Sequence, residues 1–96
     1  MKVRELSVAI AELDEAIQHY LAIDKRLAAR LLDEVDAGKQ VIERFPNAWK
    51  RLPSGIRAFP LRHFPYTILY SATADEILVI AYAHQSREPH YWRERL

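Results

Sequence analysis

The chain has 96 residues, half of them apolar, and a formal net charge of +1 at neutral pH. This length fits one small domain with a single core, and the apolar content argues against intrinsic disorder. There is no cysteine, which excludes disulfides and thiolate metal sites. The charge balance is −3 over residues 1–38 and +4 over residues 39–96. This asymmetry fits an anionic partner, but it also fits ordinary surface variation.

The N-terminus has no charged-then-apolar leader, and the longest apolar stretch is far too short to cross a bilayer. We therefore expect a cytoplasmic protein that has no membrane partner and forms one domain over residues 1–96. We expect no cofactor. The four histidines lie in different predicted elements, without the short spacings typical of zinc ligands, so no metal site is predicted.

The N-terminal half predicts a short strand followed by two antiparallel helices. Residues 2–6 alternate weakly, and Ser7 is placed to cap a helix over about residues 8–23. Asp24 is the expected N-cap of the second helix, which Pro46 ends. The apolar stripes consist of Ile10, Leu13, Ile17, Tyr20 and Leu21 in the first helix, and of Ala28, Leu31, Val35, Gly38 and Ile42, widened by Leu32 and Phe45, in the second.

Two positions in these helices lead to more specific predictions. Glu12 falls on the polar side of the first helix, so its side chain is expected to point away from the core. Gly38 lies inside the second helix, where glycine costs about 1 kcal/mol relative to alanine. We expect close packing against the first helix at Gly38 to account for the glycine.

The next segment predicts a loop and a third strand. Residues 46–55 contain two prolines, a glycine and an asparagine, which indicate a loop, and Trp49 is expected to fold back over the core. A strand then follows over Ile56–Arg62. Pro60 lacks an amide hydrogen, so this strand is expected at a sheet edge or with a bulge.

The C-terminal half is dominated by a predicted β-hairpin. Tyr66–Tyr70 and Ile77–Tyr82 are rich in β-branched and aromatic residues and flank a polar turn centred near residues 73 and 74. In this register His84 lies across from residue 63, 64 or 65. Strict alternation along the last strand predicts two faces: Ile77, Val79, Ala81 and Ala83 under the helices, and Leu78, Ile80, Tyr82 and His84 on the more open side.

The segment after Arg87 is too short for an independent helix and is expected to make a turn or two against the sheet. The predicted fold class is therefore α+β. It has two layers, an N-terminal helical hairpin packed on a mainly antiparallel sheet, in the order β-α-α-β-β-β.

The polar ends of the hairpin strands carry the candidate site. The register is expected to gather Arg62, His63, His84, Gln85 and Arg87 at the open end of the hairpin. Histidine suits proton transfer near neutral pH, and arginine, here including Arg57, binds phosphate in a fork geometry. Metal-free RNA cleavage uses such groups, with Tyr91 or Trp92 to stack an unpaired base. The alternative is that they are ordinary strand-end and rim residues.

The same residues also resemble a known family. Phe64-Pro65-Tyr66, Tyr70, the run His84-Gln85-Ser86-Arg87, Pro89 and Trp92 match the C-terminal half of RelE/ParE-type toxins of type II toxin-antitoxin modules. The helical first half also fits this resemblance. It implies a helical hairpin on an antiparallel sheet and an antitoxin, encoded alongside, that wraps and neutralises the toxin.

The resemblance implies two alternative activities. RelE-like members cleave mRNA on the ribosome, and ParE-like members inhibit DNA gyrase. The lysines and arginine that RelE-like nucleases use fall here at Ala58, Pro60 and Thr67, so that set is not carried over. The His-Gln-x-Arg ending is more like ParE, and we prefer a toxin that binds a protein target through Arg57, Arg62, His84, Gln85, Arg87 and Trp92. The alternative is a metal-independent, ribosome-dependent mRNA endoribonuclease, with His63, His84, Arg62, Arg87 and Tyr91 as candidate catalytic residues. A third possibility is a toxin homologue that has lost activity.

Overall fold

The computed structural model describes residues 2–96. Its elements in chain order are β1 (Lys2–Glu5), α1 (Ser7–Leu21), α2 (Lys25–Arg44), β2 (Lys50–Arg51), β3 (Arg57–Pro60), β4 (Tyr66–Ala72), β5 (Glu76–His84) and a C-terminal 3-10 helix (Tyr91–Arg95). The sheet order is β1-β5-β4-β3-β2, with β1 parallel to β5 and the other neighbours antiparallel. The predicted α+β class and element order are confirmed. The added feature is β2, in a segment predicted to be a loop. Within residues 2–96, neither helix is long and apolar enough to span a membrane.

The two helices begin differently. The Asp24 carboxylate accepts a hydrogen bond of 2.8 Å from the Arg26 amide, which confirms the predicted cap of α2. Ser7 is instead the first residue of α1, and no side chain caps that helix. The buried face of α2 is the centre of the predicted stripe, because Ala28, Leu31, Val35, Gly38 and Ile42 are all buried. Leu32 and Phe45, which were predicted to widen it, are exposed.

The buried face of α1 agrees only in part with the predicted stripe, since Leu13, Ile17 and Tyr20 pack against the core but Ile10 and Leu21 do not. Its fully buried residues are Ala9 and Ala16, two helical turns apart. Small side chains let the helix lie close to the sheet, so the bulky Ile10 and Leu21 are displaced to its outer side, where they are 51% and 44% exposed. The exposed side of α1 therefore carries apolar surface.

Gly38 packs against the sheet. The prediction that it packs against α1 is therefore wrong. A Cβ atom built at this position would lie 3.0 Å from Phe59 Cε1 and 3.3 Å from Ile68 Cδ1. The Phe59 ring cannot easily retreat, because the Trp49 ring packs edge-on against it with centroids 4.5 Å apart. Trp49 therefore folds over the core as predicted, and glycine is needed where α2 crosses β3 and β4.

The predicted hairpin is present, with its turn at residues 73–75 and a β-bulge on β5. Ala72 pairs with Ile77 and Tyr70 with Val79, but Leu69 pairs with Ala81, which leaves Ile80 as an extra residue. The bulge shifts the register by one, so His84 pairs with Tyr66 and not with residues 63–65 as predicted.

The bulge also reverses the facing of the last part of β5. Tyr82 joins the core cluster beneath the helices, while Ala81 packs in the cluster on the opposite face. The predicted faces are therefore correct for Ile77, Val79, Leu78 and Ile80, before the alternation is interrupted, and wrong for the residues that follow. The reason is that one unpaired residue resets the period-two alternation.

The second face of the sheet is covered by the C-terminal 3-10 helix. Trp92 is 3% exposed and packs in a cluster with Ile56, Leu69, Ile80 and Ala81. The tail therefore makes its short helix against the sheet, as the sequence predicts. This cover is one short helix of five residues, of which Trp92 is the buried one.

Candidate functional site

The open end of the hairpin meets α1 and the C-terminal tail in a cleft of about 370 Å³, which we call the α1–tail cleft. Its walls come from three parts of the chain: Glu12, Glu15, Ala16, His19 and Tyr20 of α1, the strand residues Tyr66, Tyr82 and His84, and the tail residues Ser86, Arg87 and Tyr91. Three residues predicted from the sequence, His84, Arg87 and Tyr91, thus line one cavity.

His84 is held by its own strand end. The Ser86 amide donates to Nδ1 at 3.0 Å, and the Ser86 hydroxyl lies 2.7 Å from the same nitrogen. An amide is always a donor, so Nδ1 is an acceptor and the neutral ring carries its hydrogen on Nε2. The ring packs edge-on against Tyr66 with centroids 5.0 Å apart. His84 therefore offers the cleft a hydrogen-bond donor in a fixed orientation.

Arg87 is placed by Tyr91. Its guanidinium carbon lies 3.9 Å from the centre of the Tyr91 ring, a cation–π contact. The Tyr91 hydroxyl donates to Glu12 Oε2 at 2.6 Å. Burial, with the Glu12 hydrogen bond and charge adding to it, raises the pKa of the Tyr91 phenol well above its ordinary value. Tyr91 is therefore protonated at neutral pH and acts as a hydrogen-bond donor.

Glu12 is the residue of this site that sequence reasoning missed. Its carboxylate is 15% exposed and accepts hydrogen bonds from the Tyr82 amide, the Tyr91 hydroxyl and both terminal nitrogens of Arg95. The expectation that Glu12 points away from the core is wrong. The useful signal was the pair of alanines at positions 9 and 16, which place Glu12 beside the true buried face of α1.

Glu12 and Arg95 also satisfy the backbone of β5 where β1 no longer reaches it. The last β1–β5 pair is Glu5 with Val79. Just beyond it, the Ile80 carbonyl accepts from Arg95 Nη1 at 3.0 Å and the Tyr82 amide donates to Glu12 at 3.1 Å. The hydrogen bond with Glu12 raises the pKa of Arg95 further. This ion pair therefore joins α1, the bulged strand and the tail.

Arg62 and His63 lie elsewhere, beside α2. The backbone amides of both residues donate to the Glu34 carboxylate, and His63 Nδ1 lies 2.8 Å from Glu34 Oε1. His63 lines a second cavity of about 520 Å³ with Phe64 and residues of α2. Phe64 packs edge-on against Tyr20, which lines the first cavity. The two histidines predicted to act together therefore line different cavities.

The remaining candidates have mainly structural surroundings. Arg57 is half-buried, and its Nη1 donates to the carbonyls of Asn47 and Trp49, so it fastens the loop after α2. Gln85 continues the hairpin, because its amide donates to the Pro65 carbonyl, and its side chain is exposed. Trp92 is in the second core cluster. Among residues 2–96, no group of three potential ligand side chains is placed to hold a metal ion.

Comparisons with known proteins identify the family and the fold of this chain. A family model described as the ParE toxin of the type II toxin-antitoxin system parDE matches residues 7–89. A solved chain from a chromosomal ParDE TA system of P. aeruginosa matches with a TM-score of 0.75 and 19% identity, over 88% of this chain and 95% of that chain. At that identity the likeness shows a shared fold. No curated protein sequence gives a significant match. The chain belongs to the ParE toxin family of type II toxin-antitoxin systems, within the RelE/ParE superfamily.

Proposed function

We propose that this toxin arrests growth by binding a protein target, DNA gyrase, and that a cognate antitoxin neutralises it in the cytoplasm. The contact surface is the α1–tail cleft and its rim, centred on His84 and Arg87. The observation that carries this proposal is the chemistry of the cleft. His84 is held as a hydrogen-bond donor, and Arg87 is a cation stacked on the Tyr91 ring, so the rim suits recognition of an anionic or acceptor-rich protein surface.

The alternative activity, cleavage of ribosome-bound mRNA, has weaker support. It needs a base and an acid close enough to act on one phosphodiester. His63 and His84 line different cavities, and the phenol of Tyr91 strongly favours its protonated form. The ring nitrogen of His84 that accepts protons is already engaged by Ser86. Binding a protein target requires these side chains only to make contacts, whereas RNA cleavage requires them to transfer protons.

Neutralisation by an antitoxin is supported by apolar surface on the helical hairpin. Ile10 and Leu21 on α1 and Ile23 in the connection to α2 are between 44% and 62% exposed. Apolar side chains at helical spacing suit an amphipathic segment laid along the helix. The antitoxin is therefore expected to cover this side of the molecule when the toxin is inactive.

The experiment is expression from a tightly controlled promoter, with incorporation of labelled thymidine and methionine followed over time. A gyrase inhibitor stops DNA synthesis first and induces the SOS response, whereas a ribonuclease stops translation first. His84→Ala and Arg87→Ala should relieve growth arrest. Arg93→Ala is the matched control, because Arg93 is exposed on the tail and does not line the cleft.

Two results would contradict the proposal. Translation collapsing before DNA synthesis would favour the ribonuclease. Full arrest by the doubly substituted His84→Ala, Arg87→Ala protein would show that the cleft rim is not the contact surface. Gyrase supercoiling assays with the purified wild-type chain complete the test, since inhibition there requires no other bacterial component.

A further inference from the structure

Glu12 links three elements of the chain through one carboxylate. It lies on α1, and it binds the β5 backbone through the Tyr82 amide and the tail through Tyr91 and Arg95. Arg95 is 19% exposed and has Glu12 as its carboxylate partner. A carboxylate with four donors around it is a rigid junction, because moving any one donor breaks a charge-assisted hydrogen bond.

The position of Arg87 depends on this junction. Two guanidinium groups lie near the Tyr91 ring, with that of Arg87 3.9 Å and that of Arg95 5.1 Å from its centre. The Tyr91 hydroxyl donates to the Glu12 carboxylate, and Arg95 donates to the same carboxylate. Arg87 itself is exposed and forms no salt bridge within residues 2–96. The stacked ring is therefore what orients it at the rim of the cleft.

We infer that Glu12 is a positioning residue for target recognition: it holds Tyr91 in place, and through the Tyr91 ring it sets where Arg87 stands at the rim of the α1–tail cleft. This inference rests on the proposed binding to gyrase. Glu12 has little direct access to a partner, since its oxygens are occupied from within the chain. We therefore expect its effect on binding to pass mainly through Arg87, the exposed residue that these contacts position.

The test is a double-mutant cycle in which gyrase affinity is measured with purified full-length chains. Glu12→Ala is expected to weaken binding about tenfold, within the range of coupling between connected residues. In an Arg87→Ala background the same change should cost less than about twofold, because the residue it positions is gone. A residue that only stabilises the fold would weaken binding equally in both backgrounds.

Controls separate folding from positioning. Asp14→Ala, exposed on the same helix and outside the cleft, should leave affinity unchanged. Glu12→Gln keeps one acceptor oxygen and should lose less affinity than Glu12→Ala. If Glu12→Ala does not fold, Glu12→Gln takes its place in the cycle. Equal losses with and without Arg87, or no loss at all, would overturn the inference.

A second measurement does not involve gyrase. In protein labelled with carbon-13 on tyrosine, the Tyr91 ring resonance, assigned with Tyr91→Phe, should shift on Glu12→Ala and on Arg87→Ala. An unchanged resonance in Glu12→Ala would refute the link between Glu12 and Tyr91. If wild-type protein fails to bind gyrase while this resonance shifts, the proposed target is wrong and the positioning of Tyr91 by Glu12 still holds.

Discussion

The carboxylate of Glu34 on α2 holds the backbone and the ring of His63 at the same time. Glu34 Oε2 accepts the amide hydrogens of Arg62 and His63 at 2.6 and 3.1 Å, and Oε1 lies 2.8 Å from His63 Nδ1. One side chain thus fixes the connection between β3 and β4 against the helical layer. The contact explains why His63 faces α2 and not the α1–tail cleft.

This contact predicts acid-sensitive stability. Burial opposes ionisation of Glu34, but the hydrogen bonds from His63 and Arg62 keep its pKa below the ordinary value of 4.5. A carboxyl group whose pKa is lowered in the folded state stabilises the protein at pH values above its unfolded pKa. This stabilisation is lost as the pH falls through the folded pKa. Glu34→Gln should therefore lower the free energy of unfolding by about 1–2 kcal/mol at neutral pH and flatten its decline below about pH 5.

Urea unfolding at several pH values measures both effects. Glu43→Gln, exposed on the same helix and outside these contacts, is the matched control. Parallel pH curves for wild type and Glu34→Gln would contradict the assignment.

Gly38→Ala should destabilise the protein despite alanine's better helix propensity. Alanine gains about 1 kcal/mol in a helix interior, but its methyl group would press on Phe59 and Ile68, and overpacking typically costs about 1–3 kcal/mol. We expect a net loss of about 1 kcal/mol in chemical denaturation. In a Phe59→Leu background, where the nearest ring atom is removed, the same change should be neutral or stabilising. A stabilising effect in the wild-type background would show that the ring moves freely.

Trp92 should prove to be a core residue. Trp92→Ala removes the centre of the second cluster and should cost about 3–5 kcal/mol of folding free energy. Trp92→Phe keeps most of the packing and should retain growth arrest at permissive temperature. Loss of arrest in a Trp92→Phe protein with an unchanged melting temperature would instead identify the indole as a target contact, as the sequence suggested.

Tyr70→Phe tests how the sheet holds the end of α2. The Tyr70 ring is fully buried and its hydroxyl donates to the Pro46 carbonyl at 2.7 Å. Removing the hydroxyl leaves that carbonyl without this partner, so we expect a loss of about 1 kcal/mol in the free energy of unfolding. Equal unfolding midpoints for the two proteins would show that solvent replaces the bond at no cost.

Local patterns predicted the elements well. The buried stripe of α2, the Asp24 cap and the β4–β5 hairpin all depend on spacing within one segment, and the structure confirms them. Phe64-Pro65-Tyr66 and the His84–Arg87 run likewise indicated the family that the comparisons show.

What the sequence did not reveal depends on contacts between segments. Glu12 and Arg95 are 83 residues apart, and Glu34 and His63 are 29 apart, so no spacing rule connects them. The bulge at Ile80 has no glycine or proline to mark it. Ile10 and Leu21 of α1 were wrongly assigned to the buried face because large apolar residues were given more weight than the small ones that allow close approach.

The extra residue in β5 has a consequence for comparing this toxin with its relatives. A chain with the same number of residues between the turn and the His-Gln-x-Arg run, but with an unbroken β5, would present that histidine to the side occupied here by Trp92. The same sequence motif would then place its histidine on opposite faces of the sheet in the two proteins. Equivalence of strand endings across the family should therefore be judged by counting residues back to the irregularity, since deleting the extra residue itself would leave His84 opposite Tyr66 as it is here.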